Sequence, residues 1–186
     1  MKRRRLTETY INRIVKETTS HFLNEMAKYR GDMIFVTYLN EPYDISKFKP
    51  IEYDMFTQIV NKCRYGLWAC PYDTRYGWKE FCEDNDFKKI NPDNAFFFKL
   101  KPSAKIYSIH ELEDIENIST AKNRIGLSCI DFNRLIKEGY DGIYVSEEAA
   151  IKFHDFVKQG IADLNVWDIE SLCVFNPNVI IPVNKQ

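Results

Sequence analysis

The sequence has few of the residue types that build metal sites and phosphate-binding loops. It contains three histidines, seven glycines and five scattered cysteines with no CxxC pair. Zinc needs clustered Cys and His ligands, so the sequence predicts no bound metal. GxGxxG, GxxxxGK[ST], GxSxG and HExxH are absent, which disfavours nucleotide-wrapping folds, P-loop chemistry, hydrolase elbows and metalloproteases. We interpret His110 and His154 as solvated residues on the polar sides of helices.

Long apolar runs are also missing. No run approaches the roughly 20 residues that span a bilayer, and the basic tip at residues 2–5 is followed at once by polar Thr7, Glu8 and Thr9. The sequence therefore predicts neither a membrane span nor a secretory signal. The odd cysteine count favours reduced, mostly buried thiols. We expect a cytoplasmic protein with no membrane partner.

What the sequence does contain is typical of one globular domain. It has 186 residues, of which 45% are hydrophobic and 28% charged, and a net charge of −1. This balance provides no overall field that would attract nucleic acid. Aromatic residues are abundant, with 13 Phe, 11 Tyr and 3 Trp. Such residues build cores and also line pockets that stack flat ligands.

The first 30 residues predict an amphipathic helix over 6–28, preceded by the basic tip. Thr7 is a plausible N-cap and Gly31 ends the pattern. Two interpretations stay open: the helix packs on the following domain, or it is a detachable arm that addresses a partner. We therefore divide the chain into 1–30 and 31–186. The helix pattern rests on Leu6, Tyr10, Ile14, Val15, Phe22 and Met26.

Beyond residue 31 the pattern favours an α+β fold. Short strands are separated irregularly by helices, unlike the strict alternation of a doubly wound parallel sheet. The predicted strands are 33–39, 66–70, 95–101, 104–109, 140–146, 171–175 and 179–183. The predicted helices are 53–63, 76–83, 110–116, 130–138 and about 147–158, with a loop at 117–128.

Four segments differ from ordinary surface in their residue types, and their order carries a resemblance. They are Thr37-Tyr38, then GLWACP (66–71) with YGWKEFCE (76–83), then GYDGIY (139–144), and WDIESLCVFNP (167–177). The series resembles a family of small phage-borne proteins that is itself similar to the ADP-ribosyltransferase superfamily. The resemblance covers about residues 33–183. It implies a split or curved sheet with flanking helices.

The resemblance also implies chemistry on NAD. Cleavage of its glycosidic bond builds positive charge on the ribose, which a nearby carboxylate stabilises, while an aromatic surface stacks the nicotinamide. Glu170 falls at the acidic position of the family pattern and is the candidate catalytic residue; a solvated Glu at a strand edge is the alternative. The candidate NAD-binding residues are Thr37, Tyr38, Trp68, Cys70 and Trp78, with core packing as the alternative for both tryptophans.

Two positions depart from the superfamily pattern. Thr37 stands where His or Arg is usual, and a threonine cannot contact phosphate as a cation. Cys70 stands where Ser is frequent, and a thiol is a weaker hydrogen-bond donor. The function therefore has two readings. One is an enzyme that transfers ADP-ribose from NAD to a host protein or nucleic acid acceptor, or that cleaves NAD. The other is a catalytically degenerate module that binds a nucleotide or a protein.

The opening segment carries a second resemblance. RRRLTETYINRIVKE (3–17) resembles the first helix of many otherwise unrelated proteins of phages that infect Bacteroidales. A common leader on dissimilar domains implies a sorting or packaging tag. It therefore implies a phage virion component as a partner, and the virion besides the host cytoplasm as a location. Virion cargo or a structural phage protein is thus a third reading.

Overall fold

The structure is a computed structural model, and it describes residues 32–52, 61–154 and 160–184. The helix predicted over 6–28, with its proposed role as an arm, lies outside the described residues. So does most of the helix predicted over 53–63.

The described residues form nine strands: β1 (Phe35–Tyr38), β2 (Leu67–Pro71), β3 (Ala95–Leu100), β4 (Ile106–Ile109), β5 (Thr120–Lys122), β6 (Ser128–Ile130), β7 (Gly142–Val145), β8 (Ser171–Val174) and β9 (Ile180–Pro182). Seven of them make one sheet in the order β4-β7-β8-β2-β1-β3-β9, and β5 pairs with β6 separately. In the large sheet β4 and β7 run parallel, whereas the other neighbouring strands are antiparallel. Their β-branched and aromatic residues suit a buried pleated surface. The predicted α+β class is confirmed.

Four short α-helices connect these strands in the described part of the chain: α1 (Trp78–Asp84), α2 (Leu112–Asn117), α3 (Phe132–Lys137) and α4 (Glu147–Lys152). Side chains at their first turns satisfy backbone donors that have no partner within the helix. Asp131 accepts a hydrogen bond from the Arg134 N–H at 3.0 Å. Ser146 accepts one from the Ala149 N–H at 3.2 Å.

The main correction concerns residues 117–128, for which the loop prediction is wrong. This segment contains β5 and leads into β6, because the Asn123 side chain closes a tight turn between them. Its Oδ1 accepts hydrogen bonds from the N–H groups of Ile125 and Leu127, at 3.1 and 3.0 Å. As Ile130 belongs to β6, the helix predicted from Ile130 begins at Phe132 instead. Residues 61–63, predicted as the end of a helix, are not helical.

The strand register divides the large sheet into two faces. Trp68 pairs with Cys173, which pairs with Ile143, and Val36 pairs with Cys70. Because side chains alternate along a strand, these residues share one side, which we call the cleft face. The opposite side carries Phe35, Tyr144 and Leu172, and we call it the Tyr144 face. All three of these side chains are buried.

Within the described residues, two hydrophobic cores pack against the cleft face. The larger one joins β4, β7 and β8 to residues of α2, α3 and α4. The smaller one joins β1 and β2 to Trp78 and Phe81 of α1. Trp167 belongs to the larger core and Trp68 packs against it, with the two ring centroids 5.0 Å apart. The larger core includes Ile109, Ile115, Phe132, Leu135, Ile143, Val145 and Ala149, and the smaller one Val36, Cys70 and Ile169.

Candidate functional site

A cleft of about 290 Å³ opens on the cleft face where β1, β2 and the start of β8 lie side by side. It is the place where separate segments of the resemblance meet, since β1, β2 and α1 each contribute lining residues. The described lining residues are Val36, Thr37, Tyr38, Lys62, Trp68, Ala69, Cys70, Trp78, Ile169 and Ser171. All five residues predicted to bind NAD are among them.

The two cleft tryptophans are held differently. The Trp68 indole N–H donates a hydrogen bond to the Tyr65 carbonyl at 3.1 Å, which fixes the ring orientation. Trp78 stacks on Phe81, with centroids 5.4 Å apart and planes 16° from parallel. Both side chains are only partly buried, so each combines a core contact with a ring surface on the cleft. The core and pocket interpretations of these residues therefore both describe part of their role.

The two β1 residues contribute in different ways. Tyr38 is partly buried on the cleft face, and burial raises the pKa of its hydroxyl, so the phenol stays protonated at neutral pH. Thr37 is buried, with 7% of its surface exposed. Alternation along β1 turns the Thr37 side chain toward the Tyr144 face. We infer that its backbone, rather than its hydroxyl, borders the cleft.

Cys70 is a buried thiol, and the structure disfavours nucleophilic chemistry at its sulfur. Burial is the largest cause that raises the pKa of Cys70 to about 11. The Trp78 N–H donates to its Sγ at 3.4 Å, and the thiol donates to the Val36 carbonyl at 3.9 Å. The thiolate is the reactive form of cysteine. Cys70 therefore acts as a small apolar wall that also links β1 to α1.

Lys62 is the charged residue among the lining residues that the sequence analysis missed. Its ammonium lies 4.7 Å from the centre of the Trp68 ring and donates a hydrogen bond to the Val166 carbonyl at 3.3 Å. Burial lowers the pKa of Lys62, and the nearby Asp168 carboxylate partly opposes that effect. A lysine at the end of a helical pattern reads as a solvated charge, so the sequence held no signal for this position.

Glu170 lies between two lining residues, Ile169 and Ser171, but its carboxylate points away from the cleft. It accepts hydrogen bonds from the Tyr144 hydroxyl and, at 3.1 Å, from the Thr74 hydroxyl. Tyr144 belongs to the opposite face, so the Glu170 side chain turns across the end of the sheet. Burial raises the pKa of Glu170, while the Tyr144 and Thr74 hydrogen bonds act in the opposite direction.

Two hydroxyl side chains from different parts of the chain bond Glu170, and an imidazole lies beside one of them. Thr74 follows β2, Tyr144 lies near the end of β7, and His110 follows β4. The His110 ring is 5.7 Å from the Tyr144 ring. Its Nδ1 is buried without a hydrogen-bond partner, and burial lowers its pKa. His110 is therefore not the solvated helical residue that we predicted, because it leaves β4 toward the interior.

The comparisons with known proteins add no family to this geometry. Protein-family models, curated proteins and solved structures were each compared with this chain, and none matches it. In residues 32–52, 61–154 and 160–184, no three or more Cys, His, Asp or Glu side chains gather as metal ligands would. No helix in that part of the chain has the length and apolar character needed to cross a membrane.

Proposed function

We propose that the cleft binds the nicotinamide and ribose of NAD, and that the chain is an ADP-ribosyltransferase-like binding protein. The observation that carries the proposal is the cleft itself. The five residues chosen from the sequence for NAD binding come from β1, β2 and α1, yet all line one cavity. Two groups that are distant in the sequence, the β1 pair and the strand-to-helix unit of β2 and α1, meet in this cavity because β1 pairs with β2.

The chemistry of the lining supports a flat ring as the buried part of the ligand. Trp68, Trp78 and Tyr38 supply aromatic surface, and Ser171 supplies a hydroxyl. Ligand sites usually have volumes of roughly 300–1,000 Å³. At about 290 Å³, the cleft suits a nucleoside and leaves the adenosine half of NAD outside. We propose NAD binding rather than NAD turnover as the main function, because no carboxylate lies among the described lining residues.

Calorimetric titration with NAD tests the proposal. We expect saturable binding, and Trp78→Leu is expected to weaken it about fivefold, since an aromatic contact contributes about 1 kcal/mol beyond its buried area. Tyr140→Leu is the matched control, because Tyr140 packs on Tyr107, away from the cleft, and its loss should leave affinity unchanged. Absence of NAD binding by the native chain, or equal binding by Trp78→Leu, contradicts the proposal.

Turnover of NAD is the second candidate function, and the position of Glu170 favours it. Its two sequence neighbours line the cleft, so rotation of one side chain away from Tyr144 and Thr74 is needed to bring the carboxylate to the ribose. There the carboxylate would stabilise the positive charge that develops as the glycosidic bond breaks. The acceptor in this reading is water or a macromolecule of the host.

The test is release of nicotinamide from labelled NAD, with and without host lysate. Glu170→Gln is expected to slow nicotinamide release, because the variant loses about 2–4 kcal/mol of transition-state stabilisation. Its affinity for NAD should stay the same. Glu113→Gln, on the exposed side of α2, is the control and should behave as the native chain. If the native chain binds NAD without turnover, the binding-module function stands alone.

A further inference from the structure

Lys62 occupies a position that the proposed function does not use. Among the described residues that line the cleft, it alone carries a charge, and the others are apolar, aromatic, hydroxyl or thiol groups. Its ammonium lies over Trp68, one of the two rings that supply the stacking surface. The ammonium therefore lies at the Trp68 side of the cleft, and we expect the cationic nicotinamide ring against Trp78, which also lines it.

The contacts of Lys62 hold this cation in a defined place. The hydrogen bond to the Val166 carbonyl and the Trp68 ring position its Nζ from two sides. The side chain is partly withdrawn from water, and charges attract more strongly where water is partly excluded. An anionic group that enters the cleft therefore meets an ammonium that is already oriented.

We propose that Lys62 selects ligands that carry a phosphate one ribose away from the flat ring, and that the substrate class of the cleft is therefore nucleotides rather than nucleosides. This inference rests on the proposed function, since it uses the same cleft and the same stacking surface. Lys62 supplies a cation from outside β1. It thereby compensates for Thr37, which carries no charge and whose side chain turns to the other face.

Paired ligands that differ only in the phosphate give the sharpest test. Nicotinamide mononucleotide and nicotinamide riboside share the ring and the ribose, and only the first has a phosphate. We expect the native chain to bind the mononucleotide at least tenfold more tightly, as a charge-assisted hydrogen bond implies. Lys62→Met retains the apolar stem and removes the charge, so this preference should vanish. Lys62→Arg should restore most of it.

The outcomes separate the inference from the proposed function. If the native chain binds both ligands equally, or if Lys62→Met loses affinity for both to the same extent, Lys62 only supports Trp68 and the inference is overturned. In either case the cleft still binds the ring, so the proposed function survives. If the native chain binds neither ligand nor NAD, the proposed function fails and the inference fails with it.

Discussion

Glu170 and Tyr144 form one hydrogen bond between two groups whose ionised forms are both disfavoured by burial. Desolvation is the largest cause that raises the pKa of each group. For Glu170 the ordinary value is 4.5. Its folded-state pKa lies above that value, so the folded protein holds a proton on Glu170 more tightly than the unfolded chain does.

This difference predicts how stability depends on pH. The contribution of Glu170 is most favourable below pH 4.5 and is lost as the pH rises through the raised folded-state pKa. Glu170→Gln imitates the protonated carboxyl and can still bond Tyr144 and Thr74. We expect the variant to match the native chain near pH 4.5 and to be more stable at pH 7, since each tenfold change in proton affinity corresponds to about 1.4 kcal/mol. Urea unfolding at a series of pH values measures the difference.

Glu113→Gln serves as the control for this effect, since Glu113 is an exposed carboxyl with no hydrogen bond to a buried hydroxyl. It should not show the gain in stability at pH 7 that is expected for Glu170→Gln. A Glu170→Gln variant that is less stable than the native chain at pH 7 would contradict the prediction. It would show that the two hydrogen bonds of the ionised carboxylate outweigh its burial.

At the scale of elements, the sequence predicts most strands because their residues are apolar and their ends are marked by Gly and Pro. The strand that contains Trp68 shows why. Gly66 has a positive φ of 71°, and an added Cβ would lie 2.8 Å from Ile51 and 2.9 Å from Cys173. Only glycine fits this conformation without strain, so β2 must begin after it. Gly142 similarly allows a close backbone approach, since an added Cβ would lie 2.8 Å from the Cys173 carbonyl oxygen.

Elements that depend on contacts between distant residues were not predictable. The pairing of β5 with β6 relies on a turn closed by Asn123, and its strands have three residues each, too few for a period-two pattern to appear. The Asn61 side chain accepts a hydrogen bond from the Ile130 N–H at 2.8 Å, across 69 positions of sequence. Such a tertiary bond leaves no periodic signal near either residue.

The candidate site likewise has a part that could be predicted from the sequence and a part that could not. Trp68, Cys70 and Trp78 belong to a single strand-to-helix unit, so their proximity follows from local sequence. The direction of the Glu170 carboxylate does not follow from local sequence. It depends on the Tyr144 hydroxyl, which lies close to Glu170 because of the order of the strands in the sheet. Tyr144 carried a usable signal: alternation places it on the opposite side from Ile143, and a tyrosine hydroxyl that is buried generally needs a partner.

At the scale of the whole molecule, the five thiols report on the integrity of both cores. All of them are buried, and none forms a disulfide. Cys70 lines the cleft, Cys82 lies in α1, and the remaining three belong to the larger core. Burial raises the pKa of Cys70, Cys82 and Cys173, so few thiolates exist at neutral pH to react. A thiol reagent can therefore label these cysteines only after the structure opens around them.

We expect a maleimide to label the native chain slowly at pH 7 and to label five thiols rapidly in denaturant. If the sheet opens as one cooperative unit, the slow native rates of the four cysteines outside the cleft should be similar to each other and track global unfolding. Cys70 should differ, because cleft opening alone exposes it, and NAD should slow its labelling specifically. Peptide mapping by mass spectrometry identifies each site, and Cys70→Ser confirms the assignment. Rapid labelling of Cys129 or Cys173 in the native chain would instead mean that the larger core opens independently of the cleft.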